Sequence, residues 1–155
     1  MSRVAGPVLL LIVVLLGAAD RTGTASAAAA ATPEPATAFG WIEVYLDPRG
    51  RSLAAWQLEV VVEGGGMIVG IEGGSHPAFA EPPHYDPKAM QNERAILAAF
   101  HTDAGPNLPK TRFRVATVMV ATRGEVLPEC TVKFSTAATV GGGEIAVDID
   151  HEEGR

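Results

Sequence analysis

The clearest strand signal in the chain is the stretch WQLEVVV, residues 56–62. Its apolar residues Trp56, Leu58, Val60 and Val62 recur at every second position, with mostly polar residues between them. A period of two turns one face toward a core and the other toward solvent, which is the pattern of an antiparallel β-strand. The stretch therefore predicts a strand whose inner face includes Trp56.

Six further runs extend this pattern along the chain. They are short, apolar or alternating, and turn-forming sequences rich in glycine and proline separate them. The runs cover residues 42–46, 67–71, 95–100, 113–120, 130–134 and 145–149. Short strands at such spacing predict an all-β fold, an antiparallel β-sandwich that is jelly-roll-like.

The first 27 residues have the features of a secretory signal peptide. Arg3 supplies a positive charge, residues 8–16 form an unbroken apolar run, and small residues follow. Two cleavage sites fit, one after Ala19 and one after Ala27. The alternative is an uncleaved anchor, although a bilayer span needs about 20 apolar residues. We therefore expect a secreted, periplasmic or cell-envelope protein, with membrane association only if this segment is not cleaved.

The rest of the chain divides by composition into three parts. Residues 28–38 (AAAATPEPATA) predict a flexible linker because alanine, threonine and proline cannot form a core. Residues 39–150 hold the predicted strands and form the expected sandwich domain. Residues 151–155 complete an acidic segment that lacks the glycine-centred loop of calcium sites, and we expect a solvated, frayed tail there.

The charge of the chain argues against one class of partner, and its cysteine content excludes one kind of cross-link. The chain has 12 Lys and Arg against 18 Asp and Glu, a net charge of −6, which argues against a nucleic-acid partner because such binding needs basic patches. Cys130 is the single cysteine, so no internal disulfide can form. It flanks an apolar alternation, and a buried, inert thiol is the expected state.

Signatures of catalysis are missing from the sequence. Neither a nucleophile elbow nor a phosphate-binding loop is present. The best metal-ligand candidates are His76, His84, His101 and Asp103, since imidazole and carboxylate are suitable ligands. Their spacing matches no established metal motif, and we expect solvated loop histidines and an ordinary turn aspartate instead of a metal site. We therefore expect a protein that is not an enzyme and has no cofactor and no metal.

One group of candidate binding residues lies in a long loop. Residues 75–89 (SHPAFAEPPHYDPKA) contain four prolines and carry Phe79, His84 and Tyr85. A loop stiffened by proline loses little entropy on meeting a partner, which suits recognition. The alternative is that Phe79 and Tyr85 fold back and plug one end of the sandwich.

The second group lies on the first predicted strand. Trp41 and Tyr45 share the strand face that also carries Glu43. If this face is exposed, it forms an aromatic stacking platform of the kind that sugars and partner proteins use. The alternative is that the face lies against a second sheet or the linker.

The order of these features resembles cohesin-like domains. The segments that carry the resemblance are WIEVYLD (41–47), LAAWQLEV (53–60), IVGIEGG (68–74), AILAAFHT (95–102) and TRFRVATVMV (111–120). The resemblance covers residues 39–149 and implies a jelly-roll sandwich related to carbohydrate-binding modules, used for adhesion or assembly. The implied function is a non-catalytic module that recognises a polysaccharide or an envelope protein outside the cytoplasm. The alternatives are a structural subunit of a cell-envelope complex and a metal-dependent hydrolase.

Overall fold

The computed structural model of the protein describes residues 36–102, 107–124 and 126–155. The predicted signal peptide, both cleavage sites and nearly all of the predicted linker lie outside the described residues, as does Asp103. Within the described residues no helix is long and apolar enough to cross a membrane.

In the part of the chain that the structure describes, seven strands form two antiparallel sheets packed face to face, so the predicted β-sandwich is confirmed. The strands are β1 (Thr37–Asp47), β2 (Ala55–Val62), β3 (Met67–Glu72), β4 (Arg94–Phe100), β5 (Phe113–Arg123), β6 (Cys130–Ala138) and β7 (Asp148–Gly154). One sheet has the order β3-β5-β1-β7 and the other the order β4-β2-β6. Successive strands therefore alternate between the two sheets, and each connection crosses the end of the sandwich.

The core lies between the two sheets and follows the predicted register of β2. Trp56 is 2% exposed, and Leu58, Val60 and Val62 are fully buried. The opposing sheet supplies the other half of the core through Ile42, Val44, Leu46, Val115, Val118 and Val120. In β1, Ile42, Val44 and Leu46 face this core. Because side chains alternate along a strand, Trp41, Glu43 and Tyr45 lie on the outer face of the four-stranded sheet.

The carboxyl-terminal segment differs from the expectation of a frayed tail. Residues 148–154 form β7, an edge strand paired with β1 from Asp47 opposite Asp148 to Trp41 opposite Gly154. The prediction for residues 151–155 is therefore wrong, and the folded part extends beyond residue 150. The alternation predicted at residues 145–149 begins too early, because Ile145 is buried ahead of the strand and not within it.

Arginines explain how so acidic a segment can form a strand. Along the β1–β7 ladder Glu43 stands opposite Glu152, an arrangement that is destabilising when it is not compensated. Arg112 of the segment before β5 reaches across to Asp150 at 3.2 Å and to Glu152 at 2.9 Å. Arg49, in the turn after β1, pairs with Asp148 in the same way. These cations come from distant parts of the sequence, so composition near the terminus did not reveal them.

Candidate functional site

A shallow groove of about 490 Å³ crosses the outer face of the four-stranded sheet. Side chains from β1, β3 and β5 line it, together with the last residue of the chain. They include Phe39, Trp41, Glu43, Val69, Glu72, Arg114, Thr117, Met119 and Arg155. Its volume lies within the range of about 300–1,000 Å³ that is usual for ligand sites. The strand face predicted as a platform is therefore open on the outside of the sandwich.

A flat apolar floor forms where one row of residues crosses the sheet. Gly70, Met119, Trp41 and Gly154 stand side by side on β3, β5, β1 and β7. A Cβ placed on Gly154 would lie 2.1 Å from Cζ2 of Trp41, which shows that the indole ring lies over the backbone of β7. A Cβ on Gly70 would lie 3.1 Å from Sδ of Met119. The two glycines thus let both large side chains lie against the sheet.

Exposed apolar side chains surround this floor. Phe39 is 65% exposed, Val69 is 42% exposed and Met119 is 38% exposed. Single exposed apolar residues need no explanation, but three of them grouped around one groove form a candidate interaction surface. The groove therefore has the composition of a recognition site at this end.

The other end of the groove is polar and is organised around Glu43. This carboxylate pairs with the guanidinium of Arg114 and accepts a 2.7 Å hydrogen bond from the hydroxyl of Tyr45. The Tyr45 hydrogen bond and then Arg114 lower the pKa of Glu43, while the hydrogen bond to Glu43 raises the pKa of Tyr45. At neutral pH the carboxylate is therefore ionised and the phenol protonated, and the ion pair carries no net charge.

Two buried polar atoms beside this ion pair have no partner among the described residues. They are Nε of Arg114 and Oγ1 of Thr117, and both side chains line the groove. Thr117 is only 8% exposed. A buried polar group without a hydrogen bond costs about 1–3 kcal/mol, so a ligand that satisfies these atoms would gain from doing so.

A bulge in β5 produces this arrangement. The β1–β5 register shifts between Val44 and Tyr45, so that Ala116 pairs with Val44 and Arg114 pairs with Tyr45. Val115 and Ala116 are both buried, whereas Arg114 lies on the outer face with Thr117. Bulges re-aim side chains in this manner next to functional sites. The alternation predicted for residues 113–120 gave no sign of the bulge, and Arg114 was not among the predicted site residues.

Trp41 and Tyr45 have different roles in the structure. Trp41 lines the groove and fits the predicted platform. Tyr45 has one ring face covered by Arg112, whose guanidinium carbon lies 3.7 Å from the ring centroid, while its hydroxyl is bound to Glu43. Arg112 therefore covers the ring face that a stacking ligand would need. Tyr45 instead supports the ion pair through the hydrogen bond from its hydroxyl to Glu43.

In the proline-rich loop, Phe79 is buried, so the structure does not show the exposed ring that the predicted recognition role requires. The ring is 4% exposed and stacks on Phe113 at a centroid distance of 5.8 Å, with Trp56 at 6.4 Å. Tyr85 is half-buried and packs against the same core. The alternative, that these aromatic residues plug one end of the sandwich, describes Phe79 correctly. Where the end of a sandwich is open, burying an apolar ring there is more favourable in free energy than leaving it in solvent.

His84 remains on the surface and marks a second cavity. Its imidazole stacks on Phe100 at 5.5 Å, and Phe100 is 63% exposed. Two backbone hydrogen bonds to Ala98, of 2.7 and 3.0 Å, fix His84 against the edge of β4. The cavity measures about 350 Å³ and also has Pro77, Glu81 and His101 in its lining. The sequence shows Phe100 only as part of an apolar run and does not indicate that its ring is exposed.

Among the described metal candidates, His76, His84 and His101 do not form a ligand set for a metal ion. Nδ1 of His76 accepts a 3.2 Å hydrogen bond from the backbone of Ala78, its ring packs edge-on against Phe113, and burial lowers its pKa. Across the part of the chain that the structure describes, no group of three or more His, Cys, Asp and Glu side chains is placed to hold a metal ion. Asp103 lies outside that part.

Cys130 should react slowly with alkylating reagents. Burial raises the pKa of its thiol to about 12, and the nearby carboxylates of Glu153 and Glu63 add to the shift. The thiolate is the reactive form, so at pH 8 we expect labelling by iodoacetamide on the order of 100-fold slower than for a free cysteine. Mass spectrometry of a labelling time course measures this rate, with the urea-unfolded protein as control. Equal rates for folded and unfolded protein would contradict the inert thiol.

No family model matches the chain, and no curated protein or solved structure is similar to it at a significant level.

Proposed function

We propose that this protein is a non-catalytic binding module, cohesin-like in character, that recognises a carbohydrate or protein partner outside the cytoplasm. The partner occupies the groove on the outer face of the four-stranded sheet. The observation that carries this proposal is the grouping of exposed Phe39, Val69 and Met119 around Trp41, next to the Glu43–Arg114 ion pair. An apolar floor with a few fixed polar groups is the usual composition of a binding site.

The sheet face is a better surface for a partner than either edge of the same sheet. At the β3 edge, Ile68 already exchanges backbone hydrogen bonds with Gln91 and Asn92 at 2.7 and 2.9 Å. The β7 edge carries a row of carboxylates, and charged edges discourage the addition of another strand. A partner would therefore be held by side chains of the face and not by strand addition.

A second function, as a structural subunit of an envelope assembly, draws support from the His84 surface. Phe100 and Ile96 are exposed at 63% and 44% on the three-stranded sheet, away from the groove. A domain with two apolar surfaces could join two partners. In that case each surface should retain its own partner when the other is altered.

Trp41→Ala together with Met119→Ala should weaken partner binding by about tenfold or more, because central aromatic and apolar residues contribute most of the binding energy of an interface. Affinity is measured on a glycan array and in a quantitative pull-down from the native envelope. The matched control is Phe100→Ala, which removes an exposed aromatic ring from the other sheet. If the control loses binding and the groove variant keeps it, the site belongs at His84 and not on this face.

Export is tested separately by the mass of the protein purified from its native host. The apolar run at residues 8–16 and the small residues behind it predict a mature chain that starts at Asp20 or Ala28. Intact-mass spectrometry distinguishes the two starts. A mass that includes residues 1–16 would contradict cleavage and favour an uncleaved anchor.

A further inference from the structure

The indole of Trp41 is held in a fixed orientation on the sheet. One side of the ring lies over Gly154, since a Cβ at that position would also approach Cε2 and Cη2 at 2.5 and 2.6 Å. The ring lines the groove next to Met119 and Phe39. A fixed aromatic face attracts positively polarised C–H groups and requires little ordering when a ligand arrives. The C–H face of a pyranose ring has this shape and polarity.

The polar end of the groove offers both donors and acceptors within one ion pair. Glu43 is a carboxylate and accepts hydrogen bonds, whereas the guanidinium of Arg114 only donates them. Their side chains are 20% and 31% exposed, so both can be reached from the groove. A hydroxyl group donates and accepts at once, and two neighbouring hydroxyls can therefore bind the carboxylate and the guanidinium together.

The unpartnered atoms point to the same chemistry. Nε of Arg114 lacks an acceptor and Oγ1 of Thr117 lacks a partner of either kind among the described residues. Glu43 and Thr117 are directly paired across β1 and β5, so the Thr117 hydroxyl adjoins the ion pair. A ligand hydroxyl that reached either atom could satisfy it, since a hydroxyl both donates and accepts. A purely apolar ligand would leave them unsatisfied.

Charge decides which sugars fit. The groove is lined by two carboxylates, Glu43 and Glu72, and by two guanidinium groups, Arg114 and Arg155. The four charges sum to zero, so the groove as a whole carries no net charge that would favour a ligand of either sign. An ionised ligand group would lose part of its hydration on entering the groove, which is unfavourable unless a new ion pair compensates for it.

We infer that the ligand of this groove is an uncharged sugar, with a pyranose ring stacked on Trp41 and a pair of its hydroxyls bound by Glu43, Arg114 and Thr117. This inference rests on the proposed function, because it names the ligand of the same site. Arg114 and Thr117 bind the sugar directly, whereas Tyr45 and Gly154 position Glu43 and Trp41.

The test uses the whole protein and two sets of polysaccharides. Cellulose, xylan, mannan and chitin are the neutral probes, and polygalacturonate and heparin are the acidic ones. Binding is followed by depletion from solution for insoluble probes and by tryptophan fluorescence for soluble oligosaccharides. Trp56 is 2% exposed, so a fluorescence response to sugar comes from Trp41.

The expected result is binding to at least one neutral probe, with little change between low and high salt because no net charge is involved. Trp41→Ala should weaken it at least tenfold, Arg114→Lys should weaken it measurably while keeping the charge, and Phe100→Ala should leave it unchanged. Gly154→Val, which displaces the indole without touching the sugar, should also weaken it.

The outcomes separate the ligand class from the proposed function. Binding to acidic probes alone, or to none of the polysaccharides, overturns the sugar inference. A protein captured from the native envelope that is lost in the Trp41→Ala variant, and that free oligosaccharides do not displace, also overturns it while supporting the proposed function. Sugar binding that survives Trp41→Ala but is lost in Phe100→Ala overturns both.

Discussion

Replacing Trp56 with alanine is expected to lower the free energy of unfolding by about 3–5 kcal/mol, the usual cost of truncating a large buried aromatic side chain. The indole is 2% exposed and contacts the ring of Phe79 in the core between the sheets. Domain stabilities are commonly about 5–15 kcal/mol, so the variant should retain only part of its stability. Urea denaturation followed by circular dichroism measures the loss.

Gln57→Ala is the matched control for this prediction. Gln57 adjoins Trp56 on β2 but faces outward from the three-stranded sheet, and its removal should change stability by less than about 0.5 kcal/mol. Losses of equal size in the two variants would mean that the assigned register is wrong, because a slip of one residue exchanges the two faces of a strand.

Phe79→Ala is expected to lower the stability by a similar amount, about 3–5 kcal/mol, although the residue belongs to a loop. Its ring is buried against Phe113 and Trp56 and closes one end of the core. Binding by the fraction that remains folded should be unchanged, because Phe79 does not line the groove of the four-stranded sheet. Urea titration gives the stability, and affinity is measured well below the denaturation midpoint.

His84→Ala serves as the control from the same loop. His84 is exposed, and its loss should leave the denaturation midpoint nearly unchanged. If Phe79→Ala abolished binding and left the midpoint in place, the loop would be the recognition surface after all.

The central strands could be predicted from the sequence because burial on one face imposes a period of two. The stripe from Trp56 to Val62 shows this period without interruption, and the structure reproduces its register. The same logic places Trp41 on the face of β1 opposite its apolar residues, and the structure shows that this face is the outer one. These predictions depend only on local alternation and so did not require knowledge of the partner strands.

The terminal strand β7 could not be predicted in this way. None of its residues is fully buried, although Ile149 packs partly against the core. The backbone ladder with β1 holds the strand, and Arg49 and Arg112 offset its carboxylates. These contacts join residues far apart in sequence, whereas the local composition is that of a solvated tail. A strand held mainly by backbone pairing leaves no clear apolar period to detect.

The candidate site was only partly visible in the sequence for the same reason. The sequence places Trp41 on the less apolar face of β1 but leaves open whether that face is exposed, and the neighbours of Trp41 depend on sheet register. Val69 and Arg114 each lie at or beside an irregularity of the ladder, so alternation alone does not place them. The burial of Phe79 could not be predicted, because it is decided by the open end of the core and not by the composition of its loop.

The measurement that tests the binding face most directly is nuclear magnetic resonance of the ¹⁵N-labelled protein, titrated with the oligosaccharide or protein partner that the binding screens identify. We expect the largest chemical-shift changes on the indole N–H of Trp41 and on the amides of Gly70, Arg114, Thr117 and Met119, with small changes at residues 75–89. Changes concentrated at His84 and Phe100, with the Trp41 indole signal unmoved, would contradict the proposed binding face.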